Sequence, residues 1–251
     1  MGPLVVAVSG GVDSLTLAVL AHRTRRDVSM VHAVSPAVPV EATARVREWA
    51  AREGWQLQIV DAGEFGDSNY RANPANRCFF CKTHLYDAIG ALSERQIVSG
   101  ANLDDLKEYR PGLEAAKAHG VRHPYVESHI DKAGVRRLSA SLGLGSVADL
   151  PSSPCLSSRV ETGIAIDPQA LRNIHAVERL VAQRIAPATV RCRLRAAGIV
   201  VELDPASLRS LADADRDGLV TDIRSVWVEA APRPISFAPY RTGSAFLVVR
   251  E

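Results

Sequence analysis

The sequence predicts an α/β fold: a doubly wound, mostly parallel sheet followed by a smaller C-terminal α+β domain. Three observations carry this expectation. Apolar runs of strand length alternate with stretches of helical period through residues 1 to 150, and strands separated by helices pair in parallel through right-handed crossovers. The alternation stops over 148–167, where Pro151, Pro154 and Gly163 break any regular element. Beyond it a capped helix and an alternating pair of strands follow. A chain of 251 residues, 47% hydrophobic and 23% charged, is long enough for this arrangement.

Leu4–Val8 is a continuous apolar run closed by Gly10 and Gly11, the pattern of a strand buried on both faces. Helical spacing of Leu15, Ala18 and Val19 predicts a helix over Ser14–Thr24. Val28–Val34 reads as a second strand, Glu41–Glu53 as a helix ended by Gly54, and Trp55–Val60 as a third strand. Short strands are expected at Gln96–Ser99 and Val121–Tyr125, with helices at Cys78–Leu92, Leu113–Ala118 and Lys132–Leu142. Asp167 followed by Pro168 is an N-cap with proline at the first helical position, opening a helix to about Ile185. Val190–Arg195 and Ile199–Leu203 read as a hairpin, Pro205–Ala214 as helix and Ser225–Glu229 as strand. The expected domains are 1–150, a cysteine-bearing connection over 151–166, and a substrate-binding and oligomerisation domain over 167–251.

Composition excludes several classes. With 30 basic against 28 acidic residues the net charge is +2, which gives no general attraction to nucleic acid or membrane. Apolar stretches such as Leu4–Val8 fall far short of the ~20 residues of a spanning helix. No basic and apolar leader opens the sequence, so a cytoplasmic location is expected. Four cysteines in that compartment read as metal ligands or nucleophiles rather than disulfides. Only Lys82, Lys107, Lys117 and Lys132 are lysines, a bias attributable to base composition.

Two segments carry chemistry. Ser9-Gly10-Gly11-Val12-Asp13-Ser14 lies between a buried strand and a helix start. Its glycines let backbone approach an anion, the helix end offers free N–H groups, and Ser9 and Ser14 add hydroxyl donors. No lysine follows the glycines, so it is not a Walker A loop. In the second segment Cys78 and Cys81 form a C-x-x-C pair within Asn73–Lys82, open to zinc, iron–sulfur or redox readings. Cys155 sits in irregular chain near Arg159, conditions that lower a thiol pKa. Cys192 alternates with Arg191 and Arg193 on a strand and is expected in the core.

The loop Ser9–Ser14 resembles the SGGxDS pyrophosphate loop of N-type ATP pyrophosphatases, which split ATP into AMP and pyrophosphate. Together with Asn73–Lys82, Gly100–Asp105, Tyr109–Gly112, Gly120–Arg122, Pro154–Arg159, Val190–Arg193 and Tyr240–Ser244, it resembles the LarE-type ATP-dependent sulfur transferases of nickel-pincer nucleotide cofactor biosynthesis. Tyr125-Val126 and Leu150 depart from the family pattern. The resemblance implies that ATP, with Mg2+ at Asp13, is bound by Ser9, Gly10, Gly11, Asp13 and Ser14. A carboxylate of pyridinium-3,5-biscarboxylic acid mononucleotide is adenylated, and sulfur then displaces AMP. Single-cysteine members give up the sulfur at the position of Cys155. Cys78, Cys81 and Cys155 together resemble three-cysteine members that hold a [4Fe-4S] cluster; a zinc site of these three with His84 is the rival. The family also implies a homo-oligomer. Other readings are a tRNA thiolase of the same superfamily, against which the neutral charge speaks, and a zinc-stapled nucleotide-binding protein without catalysis.

Arg191, Arg193 and Arg195 share one face of a strand and form a candidate phosphate cradle, with Arg110 and Arg159 as further substrate contacts. Glu178 and Glu202 are second-site candidates expected at the surface. Asp104 and Asp105 suit magnesium or helix capping, His32 and Trp49 the core. His119 and His123 are separated by Gly120 and are not expected to share a helical face.

Overall fold

The computed structural model describes residues 2–107, 110–151, 153–227 and 233–247. They divide into two compact units, the first formed by Met1–Tyr70 and Asn76–Pro154, the second by Arg71–Ala75 and Cys155–Glu251.

The N-terminal unit is built on four parallel strands, β1 (Leu4–Ala7), β2 (Val28–Val34), β3 (Leu57–Asp61) and β4 (Gln96–Val98), in the order β3-β2-β1-β4. Helices α1 (Val12–Thr24), α2 (Val40–Glu53), α3 (Ser68–Arg71), α4 (Arg77–Leu92), α5 (Pro111–Ala118), α6 (Pro124–Glu127) and α7 (Lys132–Ser141) follow in chain order. Successive residues of β1 face opposite sides. Leu4 and Val6 enter a core with Leu15 and Val19 of α1, Trp49 of α2 and Val135 of α7; Val5 enters another with Tyr86 and Ile89 of α4 and Ala116 of α5. Two cores on opposite faces are what double winding means physically. Gly54 ends α2 at φ 69°, as its position implied.

One expected strand is corrected. Val121–Tyr125 supplies only an isolated parallel bridge, Arg122 to Val98. Pro124 then opens α6, and its ring fixes a helical φ where a strand would need a ladder donor.

The C-terminal unit joins α8 (Pro168–Ile185), α9 (Pro205–Ser210) and α10 (Asp213–Val226) to a second sheet of β5 (Val190–Arg195), β6 (Gly198–Leu203) and β7 (Ile235–Pro239). β5 and β6 form the expected antiparallel hairpin, whereas β7 runs parallel to β6. Asp167 caps α8 by accepting from the Ala170 N–H at 2.9 Å. The strand expected at Ser225–Glu229 is also corrected: Ser225 and Val226 complete α10, where Leu219 and Ile223 are buried at i, i+4 spacing. Val228 and Glu229 lie outside the described residues, as do Tyr109 and Ser152 of the motifs.

Residues 71–75 belong to the second unit through Asn73. In the left-handed region at φ 56°, it donates its amide to the carbonyls of Glu161 and Ile164 at 2.8 and 2.9 Å. Gly163 N–H returns a bond to the Asn73 carbonyl, and Ile166 N–H one to Arg71.

Candidate active site

In the N-terminal unit the loop after β1 turns at Gly10, φ 84°, where a Cβ would stand 2.6 Å from the Ala42 carbonyl oxygen. Only glycine fits both the backbone angle and that approach. Arg45 of α2 donates to the Gly10 carbonyl at 2.7 Å and pins the turn. Ser14 Oγ accepts from the Ser9 N–H at 3.0 Å, lies 3.0 Å from Ser9 Oγ and donates to the Gly11 carbonyl. Gly11 gives α1 no side-chain cap, so the first-turn N–H groups face the loop as anion donors.

Asp13 stands at this helix start. Its carboxylate meets Lys132 Nζ at 2.5 Å and the Asn102 amide at 3.3 Å, while Tyr125 Oη donates to its carbonyl at 3.1 Å. Side-chain exposures of 28% for Asp13 and 33% for Lys132 leave the pair open to solvent. Gly100, at the end of β4, packs so closely that a Cβ would stand 2.9 to 3.0 Å from Asp13 and Ser14 backbone atoms. The C-terminal ends of β1 and β4 thus meet at the loop, where open α/β sheets hold ligands.

Lys132, Asn102, Tyr125 and Arg45 were missed as site residues by sequence reasoning. The signal for Lys132 was compositional, since lysine is rare in this chain. Asp104 accepts from the Lys132 N–H and pairs with Lys107 at 2.7 Å; Asp105 accepts from the Asn102 N–H and pairs with Arg110 at 2.9 Å. The two carboxylates therefore order the loop after β4.

Cys78 and Cys81 sit one turn apart in the first turns of α4, both half-buried. His84, one turn further, has Nε2 3.0 Å from Asp67 Oδ2. Among the described residues no three His, Cys, Asp or Glu side chains stand together as a metal site. Cys78 and Cys81 belong to the first unit, Cys155 to the second. All four cysteines are thiols. By chemistry the Cys78 and Cys81 thiols suit a soft metal, thiolates being preferred by zinc and iron–sulfur clusters.

His32 is buried, with Nδ1 2.7 Å from the Val8 carbonyl and Nε2 2.9 Å from Thr43 Oγ1. A carbonyl only accepts, so Nδ1 carries the proton. Burial lowers its pKa, and it is the core residue expected. His119 and His123 fall on separate elements, as Gly120 implied.

In the C-terminal unit Cys155 is exposed and precedes a single 3-10 turn, Leu156–Arg159. Arg159, 2% exposed, grips Glu178 of α8 through two bonds of 3.0 and 3.2 Å and donates to the Cys155 carbonyl at 3.2 Å and to Ser158 Oγ at 3.0 Å. Glu178 also accepts from the Cys192 N–H. The guanidinium thereby fastens the cysteine turn to α8 and β5.

Arg191, Arg193 and Arg195 share one face of β5, and Glu202 engages two of them. This carboxylate lies opposite Arg191 in the ladder and is buried rather than at the surface. It accepts from Arg193 Nε and Arg195 Nη2, both at 2.9 Å, and from Ser244 Oγ at 2.6 Å. Arg193 further donates to the carbonyls of Ser158 and Arg241. Glu178 is likewise partly buried. Arg191 lies 5.8 Å over the Tyr240 ring. Burial first, then the neighbouring Arg159, holds its pKa below the usual guanidinium range. Cys192 is fully buried, which pushes its thiol pKa up, and it is the core residue expected.

No helix among the described residues is long and apolar enough to cross a membrane. No family model matches the chain. An uncharacterized protein of Synechocystis sp. is 36% identical over 209 residues, covering 81% of this chain and 77% of that protein. An uncharacterized protein of Methanocaldococcus jannaschii is 24% identical, covering 71% of this chain and 69% of its own length. Pyridinium-3,5-bisthiocarboxylic acid mononucleotide synthase of Lactiplantibacillus plantarum is 26% identical, covering 75% and 70%. The extent and identity of the Synechocystis match mean that this protein belongs to one family with that uncharacterized protein, and it is similar over much of its length to the named synthase.

Proposed function

We propose that the protein is an ATP-dependent sulfur transferase that converts a carboxylate of pyridinium-3,5-biscarboxylic acid mononucleotide into a thiocarboxylate. The observation that carries this reading is the phosphate loop, with its uncapped helix start beside the Asp13–Lys132 pair. The named synthase supports the acceptor class.

In this reading the β,γ-phosphates seat on the N–H groups of Gly10–Ser14. Lys132 supplies the cation beside the departing pyrophosphate, and Asp13 is the carboxylate that would hold magnesium, an ion that screens phosphate charge when bound. A carboxylate oxygen of the acceptor attacks the α-phosphorus. The bond to the β-phosphate oxygen breaks, pyrophosphate leaves, and an acyl adenylate remains. A thiolate sulfur then attacks the acyl carbon and expels AMP, which keeps the former carboxylate oxygen. If that sulfur is Cys155 Sγ, loss of its Cα proton and cleavage of Cβ–Sγ release the thiocarboxylate and leave dehydroalanine.

Cys78, Cys81 and Cys155 are the residues that would hold a [4Fe-4S] cluster. When bound, such a cluster supplies an iron with no protein ligand, able to carry sulfide in place of a consumed cysteine. Arg159 holds the Cys155 turn through its carbonyl.

Anaerobic protein is assayed for iron, sulfide and zinc, then incubated with ATP and acceptor, and the Cys155 peptide is weighed. Acceptor-dependent AMP and pyrophosphate support sulfur transfer; their absence overturns it. An intact Cys155 with iron and sulfide present supports the cluster, whereas loss of hydrogen sulfide from Cys155, or zinc without iron, overturns it.

A further inference from the structure

A cavity of about 530 Å³ opens in the N-terminal unit, lined among others by Arg110, Leu113, Glu114, Lys117, Val121 and His123. That volume suits a small organic ligand. Its chemistry is that of an anion seat with an apolar wall: Lys117, His123 and Arg110, the last shared with Asp105 at 2.9 Å, stand with Glu114 beside leucine, proline and valine side chains.

Two sets of contacts fix where the cavity lies. On one side, His123 Nδ1 is 2.9 Å from Ser99 Oγ, and Ser99 precedes the Gly100 that packs on Asp13 and Ser14. Two residues after His123, Tyr125 donates to the Asp13 carbonyl. On the other side, Gly112 lies between the lining residues Pro111 and Leu113. A Cβ there would stand 3.0 Å from Lys82 Cγ and 3.6 Å from the Cys78 carbonyl oxygen. The cavity therefore adjoins both the phosphate loop and the first turns of the cysteine-bearing helix α4, inside one compact unit.

The imidazole ring of His123 is held by Ser99. With Nδ1 used by Ser99, Nε2 is the nitrogen left for the cavity. When Ser99 Oγ donates to Nδ1, Nε2 carries the proton and presents an N–H. All four lysines of the chain lie in this unit. Lys132 lies on Asp13 and Lys107 on Asp104, Lys117 lines the cavity, and Lys82 packs on Gly112.

We infer that this cavity is the seat for an oxyanion group of the sulfur acceptor, held by His123 Nε2–H, Lys117 and Arg110, with the ligand ring against Leu113 and Val121. The identity of the ligand rests on the sulfur-transfer reading, but the site itself does not. Both carboxylate and phosphate ends of such an acceptor share the required charge and acceptor oxygens.

The test titrates the full-length protein with pyridine-3,5-dicarboxylate without ATP, following ligand-observed NMR, and compares His123→Phe and Lys117→Met. Saturable binding that weakens about tenfold or more in each variant, with ATP affinity unchanged within about twofold, is the expected result. Lys117 is exposed, so Lys117→Met keeps the test informative if His123→Phe misfolds. Stronger displacement by inorganic phosphate than by benzoate assigns the phosphate end, the reverse order the carboxylate end, and both support the seat. No saturable binding, or binding unchanged in both variants, overturns it. Binding without any acceptor-dependent ATP cleavage overturns the function and leaves the seat. Acceptor-dependent cleavage with an unaltered acceptor KM in both variants overturns the seat and leaves the function.

Discussion

The phosphate loop of the first unit and the arginine strand of the second solve opposite electrostatic problems. At the loop, Asp13 and Lys132 remain about a third exposed, and the helix start beside them carries no cap. Charge is held ready for a ligand and screened by water meanwhile. On β5, Arg193 and Glu202 are only 5% and 3% exposed, and one carboxylate serves two guanidiniums and a hydroxyl. There the charges neutralise one another inside the fold. Oppositely charged pairs occur in both units, and exposure separates the one left open to solvent from the one that holds the frame.

That contrast predicts which substitutions damage chemistry and which damage folding. Asp13→Asn or Lys132→Met is expected to lower AMP and pyrophosphate formation by about 10²–10³-fold, while Tm stays within a few degrees. Quenched-flow or coupled pyrophosphate assays with parallel calorimetry check both halves. A large fall in Tm would move the pair into the structural class.

Glu202→Gln is expected to act the other way round. Removing one partner of a buried ion pair costs about 3–5 kcal/mol, here with two arginines left facing each other. Urea unfolding measures it. Arg193→Met combined with Glu202→Leu restores much of the loss, because the most buried guanidinium goes with its carboxylate, while Arg195, 23% exposed, keeps Glu161 at 3.8 Å. A Glu202→Gln protein as stable as wild type would break the comparison.

Gly100→Ala probes the seam between β4 and the loop. A Cβ 2.9 Å from the Asp13 carbonyl carbon meets backbone, so the expected cost is about 1–3 kcal/mol, with weaker ATP binding. Gly120→Ala is the opposite case, strain without a clash: its φ is 60°, a left-handed value that Gly100 does not have, and its Cβ would meet open space.

The smallest effect is expected at His32. Burial holds its folded pKa below 6.5, so the unfolded chain binds the proton first. Its contribution to stability is complete above pH 6.5 and is lost as pH falls below it, by at most about 1.4 kcal/mol per pH unit. Comparing the pH slope of urea midpoints for wild type and His32→Asn isolates this group from His119, whose pKa is raised. Equal slopes would contradict the assignment.

Much of this was legible in the sequence, and the limits have a physical cause. β1, α1, β2 and the β5–β6 hairpin follow from local periodicity and from turn or cap residues a few positions away. The turn at Ser9–Ser14 was equally readable because it is built from backbone freedom at adjacent residues. Lys132 was not, since its meeting with Asp13 spans 119 positions and exists only through the sheet crossovers. Glu202 reads as an ordinary polar strand residue until β5 and β6 pair. Asn73 looked like part of a cysteine motif, but its work is to hold residues 160–164. The short segment after Val121 was misread because apolar alternation outweighed Pro124.

The central claim is that ATP is spent at the Ser9–Ser14 loop to activate a carboxylate oxygen. Acceptor labelled with ¹⁸O in its carboxylates is turned over, and the AMP is weighed. The account predicts one ¹⁸O in each AMP and none in pyrophosphate, with the signal lost in Asp13→Asn. Unlabelled AMP, or ADP with phosphate in place of AMP, would contradict it.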